Sequence, residues 1–285
     1  MYDGKVRLWN AETGDALLEV EGQTETNPIN SVAISADGKT IVSGSDDGKV
    51  RLWNAKTGKH IVQLQPLEGQ TETNSINSVA ISANGKTIVS GSKNREVQLW
   101  DVKTRKAIGK LLKVNTPVFD PVAVAISADG KTIVSGSQHG PVQLWDAETR
   151  KAIGQPLEVN TRVNSVAISA NGKTIVSGSE DGPVQLWDAE TGKAIGQPLQ
   201  RTGRVSSVAI SADGKITVST DGITVTLWQT SPERWLHIAC NQLQALSILH
   251  KPTTDVAGEA SGVAGEASSA CERYVWSREK DASNL

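Results

Sequence analysis

Cysteine is scarce in this 285-residue chain: only Cys240 and Cys271 occur, both towards the C-terminal end. A disulfide framework is not indicated, and a reducing cytoplasm is the simplest compartment. Long apolar runs are missing too. No stretch of about 18 apolar residues exists, so neither a membrane-spanning helix nor a membrane partner is expected. The opening residues, MYDGKVRLWNAETG, lack the apolar core of a signal peptide. Charge of one sign is also absent. Lys and Arg number 29 against 31 Asp and Glu, for a formal net charge of −2 and a pI near 6.1. There is no surplus of cations to neutralise phosphates, and no basic block, so nucleic acid is not an expected partner.

What the sequence has in plenty is repetition. Trp9, Trp53, Trp100, Trp145, Trp187 and Trp228 stand 41 to 47 residues apart, each inside a similar string. It reads SVAISADGKTIVSGSDDGKVRLWNAKTGK around Trp53 and SVAISANGKTIVSGSEDGPVQLWDAETGK around Trp187. A fixed period of about 40–45 residues, marked by a Trp-Asp or Trp-Asn pair, is the mark of stacked four-stranded blades. In the unit that starts at Ile29, INSVAIS alternates Val32 and Ile34 with small residues, and Ala36-Asp37-Gly38-Lys39 supplies turn chemistry. TIVSGS forms a second strand, Asp46-Asp47-Gly48 a second turn, KVRLWN a third strand and HIVQLQ a fourth. Strands covered on both faces carry apolar residues on both sides, as Leu52 and Trp53 do. Small Ser, Gly and Ala let neighbouring sheets approach closely.

These strings resemble the WD-repeat family over residues 1 to about 229, and look most like bacterial, particularly cyanobacterial, WD-repeat proteins. The resemblance implies an all-β propeller with strands ordered a–b–c–d from a central channel outward. It also implies structural roles for the six tryptophans and for the turn residues Asp47 and Asp181. Departures are visible. Gly22-Gln23 and Gly69-Gln70 stand where the family has Gly-His. The turn Asp survives as Asp3, Asp47 and Asp181, but Asn94 and His139 replace it in two units. Arg105 and Arg150 replace the glycine of TGK (Gly58, Gly192), at a cost of about 0.5–1 kcal/mol each where positive φ is needed.

The strand order predicts about five blades plus an N-terminal half-blade, because the chain starts at a third strand, KVRLWN. Ala16–Val20 could complete the last blade, but Val6–Trp9 would then duplicate its third strand. A fragment, or a chain that has lost upstream blades, explains the surplus, and an open array would invite self-association through its edges. Residues 230–285 read as a short helical tail. Ser231, Pro232 and Glu233 open a helix, Trp235, Ile238, Ala239, Leu243 and Leu246 share one face, and Pro252 ends the run. A second helical pattern follows Asp255 and carries VAGEAS twice, with Tyr274 on its apolar side.

Catalytic and cofactor chemistry is not apparent. GKT recurs at Gly38-Lys39-Thr40 and in three later units, but a phosphate loop needs another glycine five residues earlier, where Ala33 and its counterparts stand. His237, Cys240, His250 and Cys271 do not make a convincing zinc set, and His60 and His139 lie on different repeats without a nucleophile. No cofactor, no metal and no enzyme activity are expected. The reading is a non-enzymatic scaffold that binds a protein or peptide. The alternative is the sensory end of a larger ATPase, protease or kinase whose catalytic domain is absent here. Comparing the repeats separates constant scaffold from variable positions. The residue after SGS varies as Asp46, Lys93, Gln138 and Glu180. The entry to the first strand varies too, with Arg162 and Arg204 aligned to Pro28, Ser75 and Asp120. The resemblance puts both sets on one face of the ring. Loops on a rigid scaffold are where binding residues concentrate, so these six are the candidate contacts.

Overall fold

In a computed structural model the chain divides into two compact units, Met1–Trp228 and Gln229–Leu285. The structure describes residues 5–10, 12–21, 28–64, 75–114, 120–159, 161–199 and 203–230. The expected tail helices, with Trp235, Leu243 and Tyr274, lie outside the described residues, as do His237, Cys240, His250, Cys271 and Asp3.

The described strands form a five-bladed propeller preceded by a two-stranded sheet. In that sheet β1 (Lys5–Trp9) pairs with β2 (Ala16–Glu21). Blade 1 holds β3 (Ile29–Ile34), β4 (Thr40–Ser45), β5 (Val50–Asn54) and β6 (His60–Gln63). Blade 2 holds β7 (Ile76–Ile81), β8 (Thr87–Ser92), β9 (Glu96–Asp101) and β10 (Lys106–Lys113). Blade 3 holds β11 (Val122–Ile126), β12 (Thr132–Ser137), β13 (Gly140–Asp146) and β14 (Ala152–Leu157). Blade 4 holds β15 (Val163–Ile168), β16 (Thr174–Ser179), β17 (Val184–Asp188) and β18 (Ala194–Leu199). Blade 5 has three strands, β19 (Ser207–Ile210), β20 (Ile216–Thr220) and β21 (Val225–Gln229). Among the described residues, consecutive strands pair antiparallel within each sheet. Of the two expectations for Ala16–Val20, the structure shows pairing with its own third strand, from Lys5 opposite Glu21 to Trp9 opposite Ala16.

The turns explain the recurring motifs. After the first strand of blade 1, Ser35 Oγ donates to Asp37 Oδ1 at 2.6 Å, and the backbone N–H of Lys39 donates to the same oxygen at 3.0 Å. Thr40 N–H then closes on Ser35 Oγ at 3.0 Å. The same loop recurs at Ser82 with Asn84, Ser127 with Asp129, Ser169 with Asn171 and Ser211 with Asp213. GKT is thus the second half of a hairpin turn. The Asp or Asn after Trp9, Trp53, Trp100, Trp145 and Trp187 caps the next turn. Asn54 Oδ1 accepts from the N–H groups of Lys56 and Thr57, and Asp146 and Asp188 do likewise for Thr149 and Thr191. The fifth residue of that turn needs positive φ. Gly58 and Gly192 supply it at 67° and 69°, while Arg105 and Arg150 are held at 63° and 58°.

The tryptophans tie third strands to second strands. Nε1 of Trp53, Trp100, Trp145, Trp187 and Trp228 donates to Ser43, Ser90, Ser135, Ser177 and Ser219 Oγ at 2.8–2.9 Å. This keeps the indole N–H satisfied inside a buried sheet, which a lone buried donor would not be. Trp53 also meets the His60 ring edge-on, with centroids 5.0 Å apart. Trp9 belongs to the sheet without a second strand and is 56 % exposed.

Each core cluster lies between neighbouring sheets. Val42, Val50 and Leu52 of blade 1 pack with Ile76, Val79, Ile88 and Trp100 of blade 2. The pattern repeats between blades 2 and 3, 3 and 4, and 4 and 5, and Val6 and Val20 meet Ile41 and Trp53 in the same way. At every joint a glycine of SGS faces the incoming first strand. A Cβ on Gly136 would stand 2.7 and 2.8 Å from Cγ1 of Val163 and Val166, and one on Gly178 would stand 2.6 Å from Cγ1 of Val205 and of Val208. Gly44 and Gly91 are equally crowded by Ile76 and Val122. The sheets therefore interlock by placing a branched pair of one blade into a side-chain-free notch of the last.

Exposure tests the role of the tryptophans. Trp53→Ala removes a side chain 5 % exposed and should cost about 3–5 kcal/mol in denaturant melts. Trp9→Ala should cost under about 1 kcal/mol, as surface changes do. Equal losses at the two positions would contradict the assignment.

Candidate interaction face

The turns between second and third strands and the entries to the first strands meet at one end of the blades. The backbone N–H of Asp46 donates to Pro28 O at 3.0 Å, that of Lys93 to Ser75 O at 3.0 Å, and that of Glu180 to Arg162 O at 2.8 Å. Asp46, Lys93 and Glu180 are thereby each fixed beside the variable entry residue of their own blade. Side chains then reach to the next blade. Asp46 accepts from the Ser75 hydroxyl and, at 2.8 Å, from Asn30 Nδ2, with Lys93 Nζ 3.5 Å away. Gln138 Nε2 lies 3.4 Å from Asn164 Oδ1, and Arg204 Nε lies 3.6 Å from Glu180 Oε1. The structure thus gathers all six candidates on this face. It joins Asp46 to Lys93, and Glu180 to both Arg162 and Arg204.

A second layer of contacts stiffens the face. Ser31, Ser78 and Ser165 accept the backbone N–H of Val79, Val124 and Val208 from the following blade at 3.0–3.1 Å. Asn30 and Asn164 donate to the following blade's Ile76 O and Val205 O at 3.1 and 3.0 Å. Asp47 is held by Ser45 and by both terminal nitrogens of Arg51, a residue only 9 % exposed. Burial pushes the Asp47 carboxyl up, but the Arg51 guanidinium and the Ser45 hydroxyl outweigh it and hold it below its ordinary value. Asp181, the other expected turn aspartate, is exposed on this face.

Blade 3 differs from the rest. Asp120, 2 % exposed, accepts the backbone N–H of His139 at 2.8 Å and faces His139 Nδ1 with both carboxylate oxygens at 2.8 and 2.9 Å. In the sequence His139 stands as a replacement of the turn Asp, and Asp120 only as the entry residue aligned with Arg162 and Arg204. Their shared signal was that both depart from the repeat in the same unit. His139 lines a cleft of about 460 Å³ with Gln138, Glu158, Thr161, Arg162 and Asp181. A second cleft, about 440 Å³, opens among the first-strand starts, where Asn30, Asn77, Asn164, Gln138 and Arg204 meet. Among the described residues, no group of three or more His, Cys, Asp and Glu side chains is placed to hold a metal ion, and no helix is long and apolar enough to cross a membrane.

Comparison with protein families finds a match in three stretches of the chain. Residues 14–54, 61–101 and 154–188 match the WD domain, G-beta repeat. These segments are WD40 repeats. Each matched segment starts in or just before the fourth strand of one sheet and ends on the third strand of the next, so the sequence repeat straddles two blades. Such propellers generally serve protein–protein interaction and are generally not catalytic. No curated protein matches the chain. The bacterial resemblance rests on the sequence strings alone.

The Asp46 contacts carry a pH signature. Hydrogen bonds from Ser75 and then Asn30 hold its carboxyl below the ordinary 3.8. A depressed folded value means a contribution that is complete above that ordinary value and is lost as pH falls through the folded one. Stability of the chain should therefore decline below about pH 4, and Asp46→Asn should flatten that decline. Superimposable midpoint-against-pH curves for the two proteins would contradict the contact.

Proposed function

We propose that this WD40 propeller is a non-enzymatic recognition module that binds a protein or peptide on the face built from the turns after SGS and the first-strand entries. The observation that carries this reading is the contrast between a nearly invariant frame and one face of varied, fixed side chains around two clefts. Lys93, Arg162 and Arg204 are the exposed cations of that face. Arg162 borders the cleft beside His139 and Arg204 the one among the first-strand starts. Asp46 is tied to Ser75 of the next blade, and the three exposed cations with Gln138 are the contacts offered to a partner. Planar guanidinium groups favour carboxylates and main-chain carbonyls, so an acidic or extended segment suits the face.

The test compares two charge-reversed proteins in pull-downs from the source extract, both first shown by thermal melting to be folded. One carries Lys93→Glu, Arg162→Glu and Arg204→Glu. The other carries Lys39→Glu, Lys131→Glu and Lys173→Glu, in the turns at the opposite end of the blades. The first should lose the captured partners and the second keep them. Retention by the first would place the interface elsewhere.

A further inference from the structure

Blade 3 rebuilds the turn that follows SGS. In blade 1, Asp47 Oδ1 of that turn accepts from Ser45 Oγ and, at 3.1 Å, from the backbone N–H of Lys49. His139 holds the matching place in blade 3 and turns to Asp120 instead. Ser137 Oγ, which matches Ser45 Oγ, is left buried without a hydrogen-bond partner among the described residues. Asp120 is the carboxylate among the entry residues, set against Pro28, Ser75, Arg162 and Arg204. An ionised carboxylate only accepts hydrogen bonds, so the proton between the two groups belongs to His139 Nδ1. The Asp120 side chain is 3 % exposed and that of His139 40 %. The exposed part of the ring is therefore the edge away from Asp120, which carries Nε2.

Nε2 decides what the ring offers to the cleft of about 460 Å³ beside it. With Nδ1 protonated, a neutral imidazole shows a lone pair at Nε2, and an imidazolium shows a second N–H there. The other charged residues of the cleft are Glu158, Arg162 and Asp181, all exposed, with Asp120 behind the ring. A neutral ring leaves Arg162 alone against two carboxylates, which disfavours an anion. Protonation sets two cations against those two carboxylates and replaces a lone pair by a donor. Thr161 lines the same cleft, and its Oγ1 is buried without a hydrogen-bond partner among the described residues. A buried hydroxyl without a partner is costly, and an acceptor seated in the cleft would relieve that cost.

We propose that His139 is an acid-strengthened contact for a carboxylate of the partner, which seats in this cleft on Arg162, the Thr161 hydroxyl and the protonated imidazole. Asp120 is the positioning residue: it turns Nε2 outward and offsets the charge that the ring gains. As pH falls through the imidazole range, from about 8 to about 5, the cleft gains a donor and a positive charge, and an acidic segment binds more tightly. The proposal rests on the protein- or peptide-binding reading above and adds to it the regulation of the same face.

NMR on the full chain tests it with N-acetylglutamate methylamide as the probe, whose side-chain carboxylate stays ionised at about pH 5.5 and at about pH 8. Nitrogen shifts of His139 at the higher pH should place the ring proton on Nδ1; a proton on Nε2 would overturn the proposal. The probe should shift His139 and Arg162 signals saturably and bind up to about fivefold more tightly at the lower pH, the gain of one exposed ion pair. His139→Gln should abolish that pH step. Thr161→Val should weaken binding by about twofold to tenfold at both pH values and leave the step intact. No saturable shift at the lower pH, equal affinity at the two, or equal binding of the neutral N-acetylglutamine methylamide would each overturn it. Pull-downs at the two pH values separate this inference from the one it rests on. If the Lys93, Arg162 and Arg204 reversal loses partners that His139→Gln keeps with an unchanged pH profile, the interaction face stands and the role of His139 falls. If the reversal keeps them, both fall.

Discussion

The packing of a branched pair into a glycine notch is the contact on which the rest of this molecule depends. A single blade has three or four strands and two apolar faces, and nothing within it can cover either face. Stability has to come from the joint between blades, as in any repeat array. The joint requires that two sheets approach until valine methyls of one meet the backbone of the other. Only a residue without a side chain permits that at Gly44, Gly91, Gly136 and Gly178. The buried clusters confirm the order of importance, because each is made of residues from two neighbouring sheets.

Hydrogen bonds set the geometry that lets the joint close. The Trp–Ser bond holds the third strand to the second from inside the sheet, and the Asp or Asn after Trp shapes the following turn. Arg51 with Asp47 does similar work in blade 1, where the later blades use Gln98, Gln143 and Gln185 bonded to nearby carbonyls. With the frame so fixed, the turns after SGS and the first-strand entries become the places where residues can change without loss of fold. Even there, part of the variation serves the frame: Asp46 bonds Ser75 of the next blade, and Glu180 faces Arg204.

Strands, turns and the structural tryptophans were legible because their signals are local. Alternation of apolar residues, ADGK-type turns and Trp at a fixed interval need no knowledge of neighbours. The exception, Trp9, has the right string but lacks the second strand that would bury it. The N-terminal half-blade was legible too, because KVRLWN is followed directly by a strand that pairs with it as β2 with β1. Contacts between blades were harder to read. Asp120 and His139 meet across the entry and turn of one blade, and Gln138 meets Asn164 of the next, at separations that only the folded stack makes short.

The central claim, that close approach at the notch holds the blades together, is tested most directly by Gly136→Ala in denaturant unfolding. Gly136 has no left-handed backbone, so by local preference alone alanine would stabilise the strand by about 0.5–1 kcal/mol. If the methyl instead meets Val163 and Val166, overpacking should cost about 1–3 kcal/mol. The account predicts the loss. A variant more stable than the parent would contradict it.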